Sequence, residues 1–245
     1  MPSLRPLLRH FSAVPATFRT LQLPVGIDGC SLYAVTPLSV GLTQEKLLCL
    51  PSTFGSVARE FRLHLENFSL LGCSYGANVS AVLAAKHSER VTRLVLVNGN
   101  AFVSDEDLED MEEYKDVNLW PKEMRETAEA KCGADNLQDK WTEMVEALRQ
   151  VEREDGGDLY CGHLPYIKCK TLVVSGGQDK FVPLSHGEYL SERIMHSRLS
   201  VVPEGGNDLV LSEAERFNTL LETFLQEPDD KLTQSREFVA VPSKV

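Results

Sequence analysis

The sequence predicts an α/β protein with an open, mostly parallel sheet. Apolar runs of strand length alternate with helical patterns along most of the chain, as in repeated strand–helix–strand units. The run from Val91 to Val97 is continuous and rich in β-branched residues, which is typical of a strand buried on both faces. From about Ser104 to Asp158 an acidic stretch shows helical patterns only, and it opens as a helix start, with Ser104 as the N-cap and acidic residues in the first turn. We therefore expect one domain, residues 28–226, with an all-helical insertion at about residues 104–158.

The N-terminal part of the domain predicts a hairpin, a short strand and a helix. Leu21 to Val25 and Ser31 to Thr36 flank a turn-rich bridge, a pattern that predicts a β-hairpin. Leu47 to Leu50 predicts a short strand that ends at Pro51. Apolar residues spaced four apart predict a helix from Ser56 to Glu66.

After the insertion, the alternation of strands and helices resumes. The predicted order is strand, helix, strand, helix, at Thr171 to Ser175, Pro183 to Met195, Leu199 to Val202 and Ser212 to Leu225. Residues 227–245 are polar and predict a disordered tail. Because open parallel sheets bind ligands at the carboxyl ends of their strands, we expect the helical insertion to cover that edge as a lid.

A serine framed by two glycines separates a strand pattern from a helix pattern. Phe68 to Leu71 predicts the strand and Asn78 to His87 a helix rich in small residues, with Gly72-Cys73-Ser74-Tyr75-Gly76 between them. In this setting G-x-S-x-G predicts a nucleophile elbow, a sharp turn that exposes the serine hydroxyl beside the positive end of the helix. The glycines remove Cβ atoms that would clash in the turn. Ser74 is therefore the candidate nucleophile.

A serine nucleophile of this kind needs an acid and a base from later strands. Asp179 closely follows a predicted strand in a Gly-x-x-Asp-x-x-Val-Pro pattern, which favours the role of acid; a loop aspartate that caps the next helix is the alternative. The base, a histidine in such sites, should follow the last strand, but Asn207 stands there. An amide has no nitrogen that titrates near neutral pH, so Asn207 cannot take the serine proton.

No other histidine is expected to supply the missing base. The chain has six histidines, and we expect the five outside the N-terminal segment to be packing or surface residues: His64, His87, His163, His186 and His196. Two N–H donors should bind the developing oxyanion. The candidates are the backbone N–H groups of Tyr75 and Thr53. This chemistry requires no metal and no cofactor, and the sequence predicts neither.

Composition limits the partners of the chain. A length of 245 residues with 42% apolar residues fits one soluble domain with a sizeable core. The net charge of −11 argues against nucleic acid, which needs a basic face. No apolar stretch approaches the roughly 20 residues that span a bilayer. We expect a monomer that acts on a small molecule, with six free thiols rather than disulfides or a metal site.

The first 27 residues differ from the rest of the chain. They carry three arginines among hydroxyl residues, and the first acidic residue is Asp28. This composition is typical of a mitochondrial transit peptide, and Arg9-His10-Phe11-Ser12 resembles a matrix-protease site with the cut after Phe11. A disordered basic terminus on a cytoplasmic protein is the alternative.

From Asn67 to Leu225 the chain resembles the biphenyl hydrolase-like proteins (valacyclovir hydrolase type) of the α/β-hydrolase superfamily. The segments that carry the resemblance are Phe68 to Ala77, Asn98 to Asp107, His163 to Pro165, Gly177 to Pro183 and Pro203 to Gly205. The resemblance implies an α/β-hydrolase fold with a helical lid, hydrolysis of esters or amides through a serine, and a mitochondrial location.

The chain departs from the family at three places. Asn207 replaces the base, and Tyr75 stands where members that cleave α-amino acid esters have an acid for the substrate ammonium. Pro51 and Ser74 are only 23 positions apart, whereas the family has a further strand and helix between them. Since a strand–helix–strand crossover needs about 30 residues, we expect one internal strand–helix unit to be absent. The N-terminal hairpin must then move inward to pair, or leave an open edge.

These observations together predict a serine hydrolase of small carboxylic esters or amides with impaired catalysis. Ser74 and Asp179 favour it, because they are two of the groups that such catalysis requires. The alternative is a catalytically inactive homologue that binds a ligand or partner through the same pocket, and Asn207 favours that reading.

Overall fold

In the described residues the sheet has eight strands, which lie side by side in chain order. A computed structural model describes residues 18–24, 31–37, 47–50, 67–228 and 239–240. The strands are β1 Phe18–Pro24, β2 Ser31–Pro37, β3 Leu47–Leu50, β4 Phe68–Cys73, β5 Val91–Val97, β6 Lys170–Gly176, β7 Ser197–Val202 and β8 Val239–Ala240. The pairs β1–β2 and β2–β3 are antiparallel, and all later pairs are parallel. The predicted mostly parallel α/β sheet is confirmed.

The N-terminal hairpin pairs directly with β3. Tyr33 lies opposite Cys49, and Val35 lies opposite Leu47. In the described part of the sheet no strand lies between β2 and β3, as the short spacing before Ser74 predicted. Of the two outcomes left open for the hairpin, the structure therefore shows inward pairing rather than an open edge.

The two ends of the described sheet bear on the predicted domain limits. Strand β1 lies inside the segment assigned to a transit peptide, so the sheet begins before residue 27; a cut after Phe11 would leave β1 whole. Strand β8 lies inside the predicted disordered tail, and its two residues instead pair with Ser200 and Val201 of β7. The helix predicted at Ser56 to Glu66 lies outside the described residues.

Seven α-helices occur in the described residues. They are α1 Tyr75–Lys86, α2 Asp105–Glu113, α3 Lys122–Cys132, α4 Ala134–Asp155, α5 Leu184–Arg193, α6 Leu209–Ser212 and α7 Ala214–Gln226. Helices α2 to α4 form the predicted all-helical insertion between β5 and β6. None of the described helices combines the length and the apolar character that a membrane span requires.

Strand β5 is buried on both faces, as its composition predicted. Leu94 and Leu96 belong to the apolar cluster that includes residues of α1 and α5, whereas Val95 and Val97 belong to the cluster that includes residues of α7. All four side chains are at most 1% exposed. Because successive side chains of a strand face opposite sides, this division places helices on both faces of the sheet.

The two ends of the lid are joined to each other at its base. The N–H of Val103 donates to the carbonyl of Gly157 at 2.9 Å, and the N–H groups of Leu159 and Tyr160 donate to the carbonyl of Ala101 at 3.0 and 3.1 Å. Helix α2 begins with the capping pattern that the sequence predicted. Its N-cap Ser104 and the Asp107 side chain form a capping box.

Candidate active site

The backbone at Ser74 has the geometry of a nucleophile elbow. Ser74 has φ 52° and ψ −124°, a left-handed conformation that is strained for a residue other than glycine. Its N–H donates to the carbonyl of Val97 at 2.7 Å, and its carbonyl accepts from Ala77 at 2.8 Å. A Cβ atom on Gly72 would collide with the carbonyl oxygen of Gly76. The sequence thus located the turn and the reason for its glycines.

Asp179 lies in the loop that follows β6 and is 9% exposed. Its Oδ1 accepts hydrogen bonds from the N–H groups of Phe181 at 2.9 Å and Val182 at 3.1 Å, and its Oδ2 accepts one from Asn207 Nδ2 at 3.0 Å. Burial raises the pKa of Asp179, although the three donors oppose this. The three donors therefore favour the ionised form of Asp179, against the effect of burial.

Asn207 contacts the predicted acid in the way that a histidine base would. Its Nδ2 donates to Asp179, so the acid orients the amide as it would orient an imidazole N–H. The amide oxygen then remains as a hydrogen-bond acceptor, but it binds no proton near neutral pH. The structure therefore brings Asp179 and Asn207 together, as the sequence predicted.

The three candidate residues follow the carboxyl ends of parallel strands. Ser74 follows β4, Asp179 follows β6 and Asn207 follows β7, and β5 lies between the first two strands. Parallel strands end at a common edge, so all three residues belong to one edge of the sheet. Thr53, the predicted second oxyanion donor, lies outside the described residues.

Tyr75 is the first residue of α1, directly after the nucleophile. The backbone N–H of Tyr75 lies in the first turn of the helix, where backbone N–H groups have no intrahelical acceptor, as a candidate oxyanion donor requires. Burial raises the pKa of its phenol to about 12, so the side chain stays neutral at physiological pH. Where the resemblance implied a carboxylate for an ammonium, this site therefore offers an uncharged group.

The lid packs on the loop that carries the acid. Phe181, two residues after Asp179, contacts the rings of Tyr114 at 5.2 Å and Trp141 at 5.3 Å between centroids. Trp120 lies at 4.9 Å from Trp141 and completes an aromatic cluster. Since the N–H of Phe181 also donates to Asp179, this one residue contacts both the lid and the acid.

An asparagine on the elbow helix ties both ends of the lid to the elbow. Asn78 Oδ1 accepts from the N–H of Asn100 at 3.0 Å and from the hydroxyl of Tyr160 at 3.1 Å, and its Nδ2 donates to Asn100 Oδ1 at 3.0 Å. Asn100 precedes the lid and Tyr160 follows it. No local pattern in the sequence indicates this network, because its polar residues lie far apart in the chain.

A buried histidine–aspartate pair joins the lid to α5. His186 Nε2 lies 3.0 Å from Asp107 Oδ1, and the side chains are 2% and 7% exposed. Burial opposes ionisation of Asp107, but hydrogen bonds from His186 and Ser104 outweigh it and lower its pKa. The prediction that His186 is a packing residue agrees with its burial, but its partner in the lid was not foreseen.

We expect Asp107→Ala to lower the free energy of unfolding by about 3 kcal/mol, because removing one member of a buried pair leaves the other without compensation. The capping box of α2 is lost as well. Urea denaturation of the two proteins gives the difference. Asp105→Ala is the matched control, since Asp105 is exposed in the same helical turn and should change stability by less than about 0.5 kcal/mol. Equal effects of the two substitutions would show that the pair does not hold the lid.

Comparison with known proteins identifies the fold and its relatives. A family model described as alpha/beta hydrolase fold matches residues 62–159. The meta-cleavage product hydrolase CumD of Pseudomonas fluorescens superposes with a TM-score of 0.51 at 22% identity, over 66% of this chain and 65% of CumD. A hydrolase of Rhodococcus, BphD, gives a TM-score of 0.51 at 18% identity, over 66% of this chain and 65% of its own. These matches show that the chain has the α/β-hydrolase fold.

By sequence, the chain is similar to two mammalian serine hydrolases. The serine hydrolase BPHL of Mus musculus is 35% identical over 165 residues, which are 67% of this chain and 56% of the relative. BPHL of Homo sapiens gives the same identity and coverage. This similarity confirms the resemblance to the biphenyl hydrolase-like proteins. The chain spans little more than half the length of these relatives.

Proposed function

We propose that this chain is a serine hydrolase of small carboxylic esters or amides whose turnover is limited by the absence of a base. The hydrogen bond from Asn207 to Asp179, at 3.0 Å, is the observation that supports the proposal most strongly. Catalysis by Ser74 needs an imidazole that the acid orients, and the residue that donates to Asp179 is an amide. Similarity to the BPHL serine hydrolases supports the reaction class.

In the proposed reaction, Ser74 Oγ attacks the carbonyl carbon of the substrate. The N–H of Tyr75 and a second donor stabilise the negative charge on the carbonyl oxygen. The hydroxyl proton has to leave Ser74, and Asn207 has no group that accepts it. Solvent must take that proton and must also protonate the alcohol or amine that leaves when the C–O or C–N bond of the substrate breaks, so acylation is slow. Attack of water on the acyl-enzyme lacks the same base, so the second step is slow as well.

The neutral side chain of Tyr75 bears on the substrate class. Its phenol is uncharged near neutral pH, as in any tyrosine, and burial raises its pKa further, to about 12. A positively charged ammonium group beside the scissile ester would gain no ion pair from this residue. We therefore propose esters and amides of uncharged acyl groups rather than of α-amino acids.

A fluorophosphonate probe tests the proposal. Such a probe phosphonylates an activated serine, and its site is found by mass spectrometry of peptides. We expect slow labelling of Ser74 in the native chain, and its complete loss in Ser74→Ala. Absence of labelling from the folded native chain would instead support the second candidate, a ligand-binding or partner-binding protein, which the loss of the base favours.

A further inference from the structure

The end of β5 is the place where the three loops of the candidate site meet. The carbonyl of Val97 accepts from the N–H of Ser74 at 2.7 Å. The next residue, Asn98, has its side chain against the other two loops. Its Oδ1 accepts from the N–H of Gly176 at 2.9 Å, and its Nδ2 donates to the carbonyl of Gly206 at 3.0 Å. A longer contact of 3.4 Å joins Nδ2 to the carbonyl of Asn207.

The carboxamide of Asn98 matches what the two loops present. The last residue of β6 offers a backbone N–H and the turn after β7 offers a carbonyl, and an amide side chain supplies one acceptor and one donor for them. Asn98 is 2% exposed, so water does not compete readily for these bonds. Its φ of 46° is left-handed, a conformation that asparagine tolerates better than most residues.

Backbone bonds hold a different part of the same turn. The N–H of Gly177 donates to the carbonyl of Val202 at 2.8 Å, and the N–H of Gln178 donates to the carbonyl of Gly205 at 2.8 Å. These bonds end at residue 205. The side chain of Asn98 instead donates to the carbonyls of the next two residues of the turn, Gly206 and Asn207.

We propose that Asn98 is a positioning residue that holds Asn207 against Asp179. It contacts no reacting atom and acts through the end of β6, which leads to Asp179, and through the turn after β7. The inference rests on the proposed role of Asn207 in the site. The experiment that tests the inference measures the contact between Asn207 and Asp179 itself. The experiment therefore remains valid if the chain proves to have no hydrolytic activity.

The pKa of Asp179 reports this contact, because the hydrogen bond from Asn207 lowers it. We expect Asn207→Ala to raise the pKa of Asp179, measured by titrating its side-chain carboxyl ¹³C resonance by NMR. Asn98→Gly keeps the left-handed backbone and removes the carboxamide. We expect it to raise the same pKa by at least half as much, and to add nothing in the Asn207→Ala background.

Two further variants complete the test. Asn118→Gly, at an exposed position in the lid, is the matched control and should leave the pKa of Asp179 unchanged. Asn98→Ser is titrated in the same way if the glycine variant does not fold, because a hydroxyl is too short to reach both loops. An unchanged pKa in the Asn98 variants, with a clear rise in Asn207→Ala, would overturn the inference and leave the proposed function standing. If the pKa of Asp179 does not rise in Asn207→Ala, the contact between Asn207 and Asp179 is absent in solution, and the inference about Asn98 and the proposed function both lose their main support.

Discussion

Replacing Asn207 with histidine is expected to raise the hydrolysis of p-nitrophenyl butyrate by about three orders of magnitude, since the loss of such a base costs several orders of magnitude in known serine hydrolases. The ring N–H of the new histidine would donate to the carboxylate of Asp179, which would orient the ring, because Asn207 already donates to that carboxylate at 3.0 Å. Steady-state kinetics of the purified native chain and of Asn207→His give the ratio of kcat/KM.

Two controls separate the base from other effects of the substitution. Ser74→Ala in the Asn207→His background should remove the gain, because the imidazole then has no nucleophile to activate. Asn207→Gln should produce no gain, because it retains an amide. If the folded histidine variant hydrolyses the ester no faster than the native chain, the absent strand–helix unit limits catalysis rather than the base.

Gly72→Ala is expected to lower the free energy of unfolding by about 3 kcal/mol or more, because a backbone clash cannot be relieved by rotating a side chain. The added Cβ would collide with the carbonyl oxygen of Gly76, inside the turn that exposes Ser74. Thermal and urea denaturation measure the loss, and yield of soluble protein gives a first indication.

Gly162→Ala is the matched control for this substitution. A Cβ atom on Gly162 has no neighbour within 4 Å and its backbone is not left-handed, so we expect a change of less than about 0.5 kcal/mol. If Gly72→Ala proves as stable as Gly162→Ala, the turn at Ser74 does not have the described geometry.

Local sequence patterns were sufficient for the features that depend on neighbouring residues. The glycines around Ser74, the unbroken run of β5 and the cap at Ser104 each require particular residues at particular short spacings. The order of strands also brought Asp179 and Asn207 to one edge of the sheet. The spacing before Ser74 indicated a missing unit, but it left the position of the N-terminal hairpin undecided, because pairing depends on the whole sheet.

The features that the sequence did not indicate are contacts between distant segments. Asn98 meets Gly206, and Asp107 meets His186, across long separations in the chain. A polar residue at a strand end or in a helix has the same local appearance whether it faces water or a buried partner. Only the packing of the lid and loops on the sheet distinguishes these cases.

The lifetime of an acyl group on Ser74 tests most directly whether Asn207 deprives the site of its base. The protein would be incubated with excess p-nitrophenyl acetate, freed of ester, and followed by intact-mass spectrometry with peptide mapping. We expect an acetyl group on Ser74 that persists at least about 100-fold longer in the native chain than in Asn207→His, since deacylation needs a base to activate water. Equally rapid loss of the acetyl group from both proteins would contradict the proposal, because the native chain would then possess an effective base.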